Sequence, residues 1–201
     1  QFGGAEGAAI AGLGQDGLQF LNEVERKRQS RKDAVNIARG VNEFNTFGST
    51  LLRSAEDEGN LTDDGFVRGT SEQIAQKRAE ILSRFEPGSE ARARAEIRLG
   101  DTENAFTDSL AGKSVTAQRR LAQDTFGGIA NQRAALVADD PSQLGAQLRG
   151  VAADIEAFGG AFSPAEERAL LDGATANVLL SALGTTIQSG NFDEAEEIAD
   201  S

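Results

Sequence analysis

Residues Gly12-Leu13-Gly14-Gln15-Asp16-Gly17 read GLGQDG. This matches G-x-G-x-x-G, the spacing of a dinucleotide-binding turn, and its meaning separates an α/β fold from an all-helical one. A dinucleotide turn needs a strand ahead of the glycines and an acidic residue about 20 positions later, at the end of a second strand. Here AEGAAIA precedes the glycines and the helical stretch RKRQSRKDAVNIARG follows. The apolar and small positions Ile10, Leu13, Gly17, Phe20 and Val24 fall alternately three and four apart, so one helical stripe runs straight through the motif. GLGQDG is therefore read as part of a helix seam, with Gly17 between Leu13 and Phe20 as a place for close approach or bending.

Beyond the charged stretch the stripe resumes at Ala34, Ile37, Val41, Phe44, Gly48, Leu51 and Ala55. The pattern predicts one helix from Asp16 to Asp57, preceded by a Gly/Ala-rich segment, 1–15, that is frayed or extended. Such a helix is about 60 Å long, which predicts an elongated molecule. EGNLTDDGFVRGT breaks the pattern, and Thr70 with Gln73 reads as a T-x-x-Q capping box. The helix it would open places Ile74, Arg78, Ile81 and Phe85 on one face and stops at the turn Glu86-Pro87-Gly88-Ser89. A second very long pattern runs from Glu90 to Ala138 with Ala95, Leu99, Phe106, Leu110, Ala117, Leu121, Ile129 and Leu136 on its seam. Gly112, Gly127 and Gly128 are its expected points of kinking or breakage.

Asp139-Asp140-Pro141-Ser142 stops that helix, and Leu144, Leu148, Val151, Ile155 and Phe158 mark the next. After Gly159-Gly160, Ser163 as N-cap, Pro164 at N1 and Glu166 at N3 open another. Its inner face carries Leu171, Ala174, Val178, Ala182 and Ile187. A short segment, FDEAEEIADS, closes the chain. β-branched alternation is missing throughout. The fold class is all-α, an elongated antiparallel helical bundle with a repeat-like C-terminal part. The expected division is 1–15, a long-helix bundle over 16–138, and a smaller helical subdomain over 139–201 that continues beyond the fragment.

Composition narrows the chemistry. The 201 residues include 11 Phe and no Cys, His, Met, Trp or Tyr. Disulfides, thiolate zinc sites and haem ligation by these side chains are excluded, as are the Ser-His-Asp and Cys-His nucleophile systems. No cofactor and no enzymatic activity are expected, although a catalytic domain could lie elsewhere in a parent protein. The net charge of −12 disfavours general affinity for nucleic acid or an anionic membrane. No apolar run approaches the roughly 20 residues of a membrane helix, so no integral membrane segment is expected. The chain starts at Gln1 and contains no Met, which predicts a fragment or processed product of a longer protein.

Two further local patterns have helical or turn readings. Gly112-Lys113-Ser114 matches the end of a phosphate-binding loop, but Thr107 stands where the first glycine is required. Asn60, Thr62, Asp64 and Gly65 sketch a calcium loop whose twelfth position is Ser71 instead of a bidentate acid. That stretch reads as a polar turn.

Two features point toward partners. Arg26, Lys27, Arg28, Arg31 and Lys32 form the one concentrated basic run, a candidate contact for a phosphate-rich or acidic surface, or a solvated face paired as Glu25 with Arg28. Near the C-terminus, Gly190, Asn191, Phe192 and Ala195 resemble the turn of a tetratricopeptide-type helix-turn-helix. In such repeats G-(N/D)-(F/Y)-x-x-A joins the helices and the alanine packs on the first.

The order of features is similar to the internal virion, or ejection, proteins of short-tailed bacteriophages. AIAGLGQDGLQFL leads into a long charged helix, then DDGFVRGTSEQIAQKRAEIL and a long Ala/Arg/Glu-rich helix. DPSQLGAQLRGVAADI, SPAEERALL and the repeat-like end follow. The resemblance implies a structural protein stored in the capsid interior or tail and passed into the host envelope during genome delivery. It implies homo-oligomers, contacts with portal, tail or other internal proteins, and DNA contact only in the assembled particle. The alternative is a helical interaction module, either a repeat adaptor or a secretion-system coiled coil.

Overall fold

The computed structural model describes the backbone of residues 4–200 and the side chains of residues 22–200. The described residues form six α-helices and no strand. The helices are α1 (Gly4–Asp57), α2 (Asp64–Leu82), α3 (Glu90–Asp139), α4 (Leu144–Ala157), α5 (Pro164–Gln188) and α6 (Phe192–Ala199). The protein is an all-α helical bundle. GLGQDG lies within α1, so its backbone is helical, and among the described residues no strand precedes it. The helix starts at Gly4, ahead of the expected Asp16. The seam role assigned to Gly17 falls outside the described side chains.

The chain divides into two compact units, Gln1–Ala111 and Gly112–Ser201. The division falls inside α3 and not at the 138/139 break expected from the sequence. The reason is packing: Phe126, Ala130, Ala134 and Val137 of α3 belong to the second unit's core. α3 also runs unbroken through Gly112, Gly127 and Gly128. Each of these costs about 1 kcal/mol relative to alanine, which tertiary packing of a long helix absorbs.

In unit 1, Ile37 and Phe44 of α1 meet Ile74, Ile81 and Leu82 of α2 and Ala95 and Leu99 of α3. From Ile37 to Ala55 the α1 stripe read from the sequence is the buried or half-buried face; Ala34 is exposed, and the stripe's residues from Ile10 to Phe20 lie outside the described side chains. Phe106 crosses the Phe44 ring edge-on at 5.9 Å, and it can do so because position 48 has no side chain. A Cβ at Gly48 would lie 2.3 Å from the Phe106 ring. The N-cap of α2 is Asp63, whose Oδ1 accepts from the amides of Gly65 at 2.7 Å and Phe66 at 3.2 Å. The expected Thr70–Gln73 capping box is not a helix start; Thr70 sits buried inside α2. Asp63 satisfies the first free amides earlier in the chain, and Gly65 and Gly69 are carried within the helix that follows.

In unit 2, the α3 residues pack against Val151 and Ile155 of α4, Phe162, and Ala174, Val178 and Ala182 of α5. Phe158 stands edge-on to Phe126 at 6.0 Å and tilted against Phe162 at 5.9 Å. The capping box at α5 forms as its spacing predicts: Ser163 Oγ accepts from the Glu166 amide, and the Ser163 amide donates to Glu166 Oε2 at 2.8 Å.

Candidate interaction surface

The basic run lies on the described part of α1, and all five cations are exposed. At about 100° per residue they do not share one face. Arg26, Lys27 and Arg31 line a shallow hollow with Asn22, Glu23 and Ser30, whereas Arg28 and Lys32 are turned further round the helix. The local ion pair is Lys27 with Glu23 at 2.7 Å, one turn apart. Among the described residues no ion pair joins Glu25 to Arg28.

Arg26 also belongs to a larger feature that the sequence did not single out. A cleft of about 320 Å³ runs between α1 and the start of α3, past Ser30, Ala34 and Ile37 on one side and Ala91 and Arg94 on the other. It adjoins a second hollow of about 390 Å³ lined by Ala34, Ile37, Arg94, Ile97 and Arg98. Ile97 is 67% exposed and stands between the two arginines in sequence. Arg94 pairs with Glu90. The surface is thus an apolar trough with guanidinium groups along its rim. Its one signal in the sequence is an isoleucine lying off the Ala95–Leu99 seam, with Arg94 three residues before it and Arg98 directly after.

An ion network borders this unit elsewhere. Glu43 accepts both Arg84 guanidinium nitrogens, at 2.6 and 2.9 Å, and pairs with Lys77 at 2.8 Å. These bonds, Arg84's first and Lys77's second, pull the Glu43 carboxyl down from 4.5 to about 2. Lys77 and Arg84 are both raised by the same contacts and by Glu80. The groups are solvated and mutually satisfied, as in a structural clamp and unlike a poised acid–base pair.

The remaining candidate residues take simpler places. Gly112-Lys113-Ser114 is continuous helix, with no loop to cradle a phosphate. Residues 60–62 form a 3-10 turn, Asn60 donates to Glu58, and Asp63 is committed to capping α2. Among the described residues no group of three or more acidic side chains is placed to hold a metal ion. No family model, curated protein or solved structure matches this chain.

At the C-terminal turn, Gly190 adopts φ +80°, a left-handed conformation that ends α5. Ala195 is buried, whereas Phe192 is 68% exposed. The structure therefore brings Gly190, Asn191 and Ala195 into one tight helix–helix joint and leaves Phe192 outside it. By length and composition alone α5 is long and apolar enough to cross a bilayer, with a mean hydropathy of 1.2, while its Ala174, Val178 and Ala182 belong to the core of unit 2. Ala, Gly, Ser and Thr dilute its apolar run, yet Asp172 is its one charge after Arg168. Only 22% of that apolar window is buried, and Leu180 and Ile187 are exposed on it.

Proposed function

We propose that the chain is a non-enzymatic assembly protein of the internal, or ejection, class of short-tailed phage virions. It resides in the capsid interior or tail as a homo-oligomer beside other virion proteins and takes part in genome delivery to the host envelope. The observation that carries this reading is the distribution of apolar side chains over an all-helical chain. Ile97, Leu180 and Phe192 are each about two-thirds exposed, on helices whose opposite faces already fill a core. Single exposed apolar residues are ordinary, but a trough with a charged rim marks a protein-contact surface.

The cysteine-free, glycine-punctuated helices and the sequence order described above support the same class. Quantitative mass spectrometry of purified particles tests it. Several copies of the chain per particle are expected, and its absence from the particle overturns the proposal. A second reading, a repeat adaptor, is favoured by the Gly190–Ala195 joint between α5 and α6; it requires a monomer or dimer that captures a peptide along its C-terminal groove.

A further inference from the structure

We infer that the arginine-rimmed cleft of unit 1 is the docking site for the α5–α6 end of a second copy of this chain. The inference deepens the self-association in the proposed function and rests on that part of it alone.

The cleft asks for an occupant with an apolar anchor and an acidic rim. Its floor is Ala34, Ile37 and Ile97, and Arg94 and Arg98 stand over it. Arg26 extends the cationic wall along α1, with Asp33 and Glu90 as interspersed acids. Neither Arg26 nor Arg98 has an ion-pair partner among the described residues, so both retain full capacity for a carboxylate.

The chain itself carries the complementary surface. No Lys or Arg follows Arg168, while Asp193, Glu194, Glu196, Glu197 and Asp200 crowd the last segment. All five acids are exposed. Phe192 projects among them, 68% exposed, and Ile187 is 47% exposed at the end of α5. Phe192 and Glu196 are one helical turn apart on the same face of α6. An aromatic ring between two guanidinium groups gains both apolar burial and cation–π attraction, and such aromatic anchors dominate interface energies. Glu196 then reaches the arginines.

The net charge of −12 opposes association of two copies at long range. At physiological salt the screening length is about 8 Å, so distant repulsion fades while contact pairs remain. The two surfaces differ, so the contact is head-to-tail. Such contacts propagate into rings or open filaments according to the rotation between copies.

The test uses the full chain and two charge-reversed variants, Arg94→Glu with Arg98→Glu, and Glu196→Arg with Glu197→Arg. All four positions are exposed, and circular dichroism verifies that each variant is folded. Sedimentation velocity is expected to show a salt-sensitive oligomer for the natural sequence and a monomer for each variant alone. A 1:1 mixture of the variants is expected to reassemble, because each reversed surface meets its complement. Phe192→Ala is expected to raise the dissociation constant at least about 10-fold. A natural chain that stays monomeric overturns the inference and leaves the cleft to an acidic partner of other sequence. An oligomer indifferent to both reversals, or variants that fail to reassemble on mixing, also overturns it. A monomeric natural chain would also remove the homo-oligomer clause of the proposed function, but none of these outcomes alters whether the chain is found in particles, which is what that proposal's own test reads.

Discussion

Unit 1 fills its interior with large side chains, Phe44, Ile74, Ile81 and Leu99, and seats the Phe106 ring over a missing one at Gly48. Unit 2 lines its helix contacts with Ala130, Ala134, Ala174 and Ala182 and gathers its rings, Phe126, Phe158 and Phe162, into one cluster. Their polar ties differ as well. Unit 1 has the Glu43 network, whereas unit 2 has Arg133, which donates to Asp154 and to Gln147 at 2.5 and 2.8 Å and lies across Gly150. The contrast is one of side-chain size: unit 1 packs large side chains on one another, and unit 2 sets buried alanines beside its large residues where its helices meet.

Truncation and enlargement should therefore have opposite targets. Phe44→Ala removes a fully buried ring from unit 1 and is expected to destabilise it by about 3–5 kcal/mol in denaturant titrations. Ala182→Leu in unit 2 adds volume where α5 has none to give. About 1–3 kcal/mol of destabilisation is expected by the same measurement. Should Ala182→Leu prove neutral, the core around Ala182 has room that its complete burial argues against.

Glycine positions sharpen the comparison. At Gly48 a methyl group meets the Phe106 ring, which must swing off its edge contact with Phe44. Gly48→Ala is expected to cost about 1–2 kcal/mol after the helix-propensity gain is counted. At Gly128 the same change meets nothing within 4 Å. Gly128→Ala is therefore expected to stabilise by up to about 1 kcal/mol. Equal melting shifts of the same sign would show that propensity, not packing, governs both sites.

The smallest expected effect is electrostatic. The Glu43 carboxyl is held near 2 by Arg84 and Lys77, below its ordinary 4.5. A depressed carboxylate contributes stability that is complete above the ordinary value and is lost as pH falls through the depressed one. Melting temperatures of the natural chain and Glu43→Gln should accordingly differ at neutral pH and converge between about pH 4.5 and 2. The side chain is one-third exposed, so after screening the difference is about 1 kcal/mol at most. A gap that persists at the acid end would locate the effect in packing instead.

The sequence reading recovered what periodicity and local hydrogen-bond chemistry dictate. Ile37, Phe44, Gly48 and Ala55 face the core at the spacing that announced them, and Ser163 with Glu166 closes its capping box. It failed where a local signal had a rival. Thr70-x-x-Gln73 has the right residues, but Asp63 reaches the free amides first. Proline and acidic residues at 139–142 end a helix without dividing the units, because core membership depends on long-range partners that no window displays. The arginine-rimmed cleft was hidden for a similar reason. Ala34 and Ile97 are distant in sequence and join one surface only after α1 and α3 pack. The basic run was visible as composition, yet its helical geometry turns Arg26, which lines the cleft, away from Arg28 and Lys32.

The proposed ejection role is tested in particles before and after triggered DNA release. Purified particles are treated with the host receptor or its envelope extract, and chain copies per capsid are measured by mass spectrometry on both populations. The account predicts that emptied particles have lost the chain along with the genome and that it is recovered with host envelope material. Emptied particles that retain their full complement of the chain would contradict it.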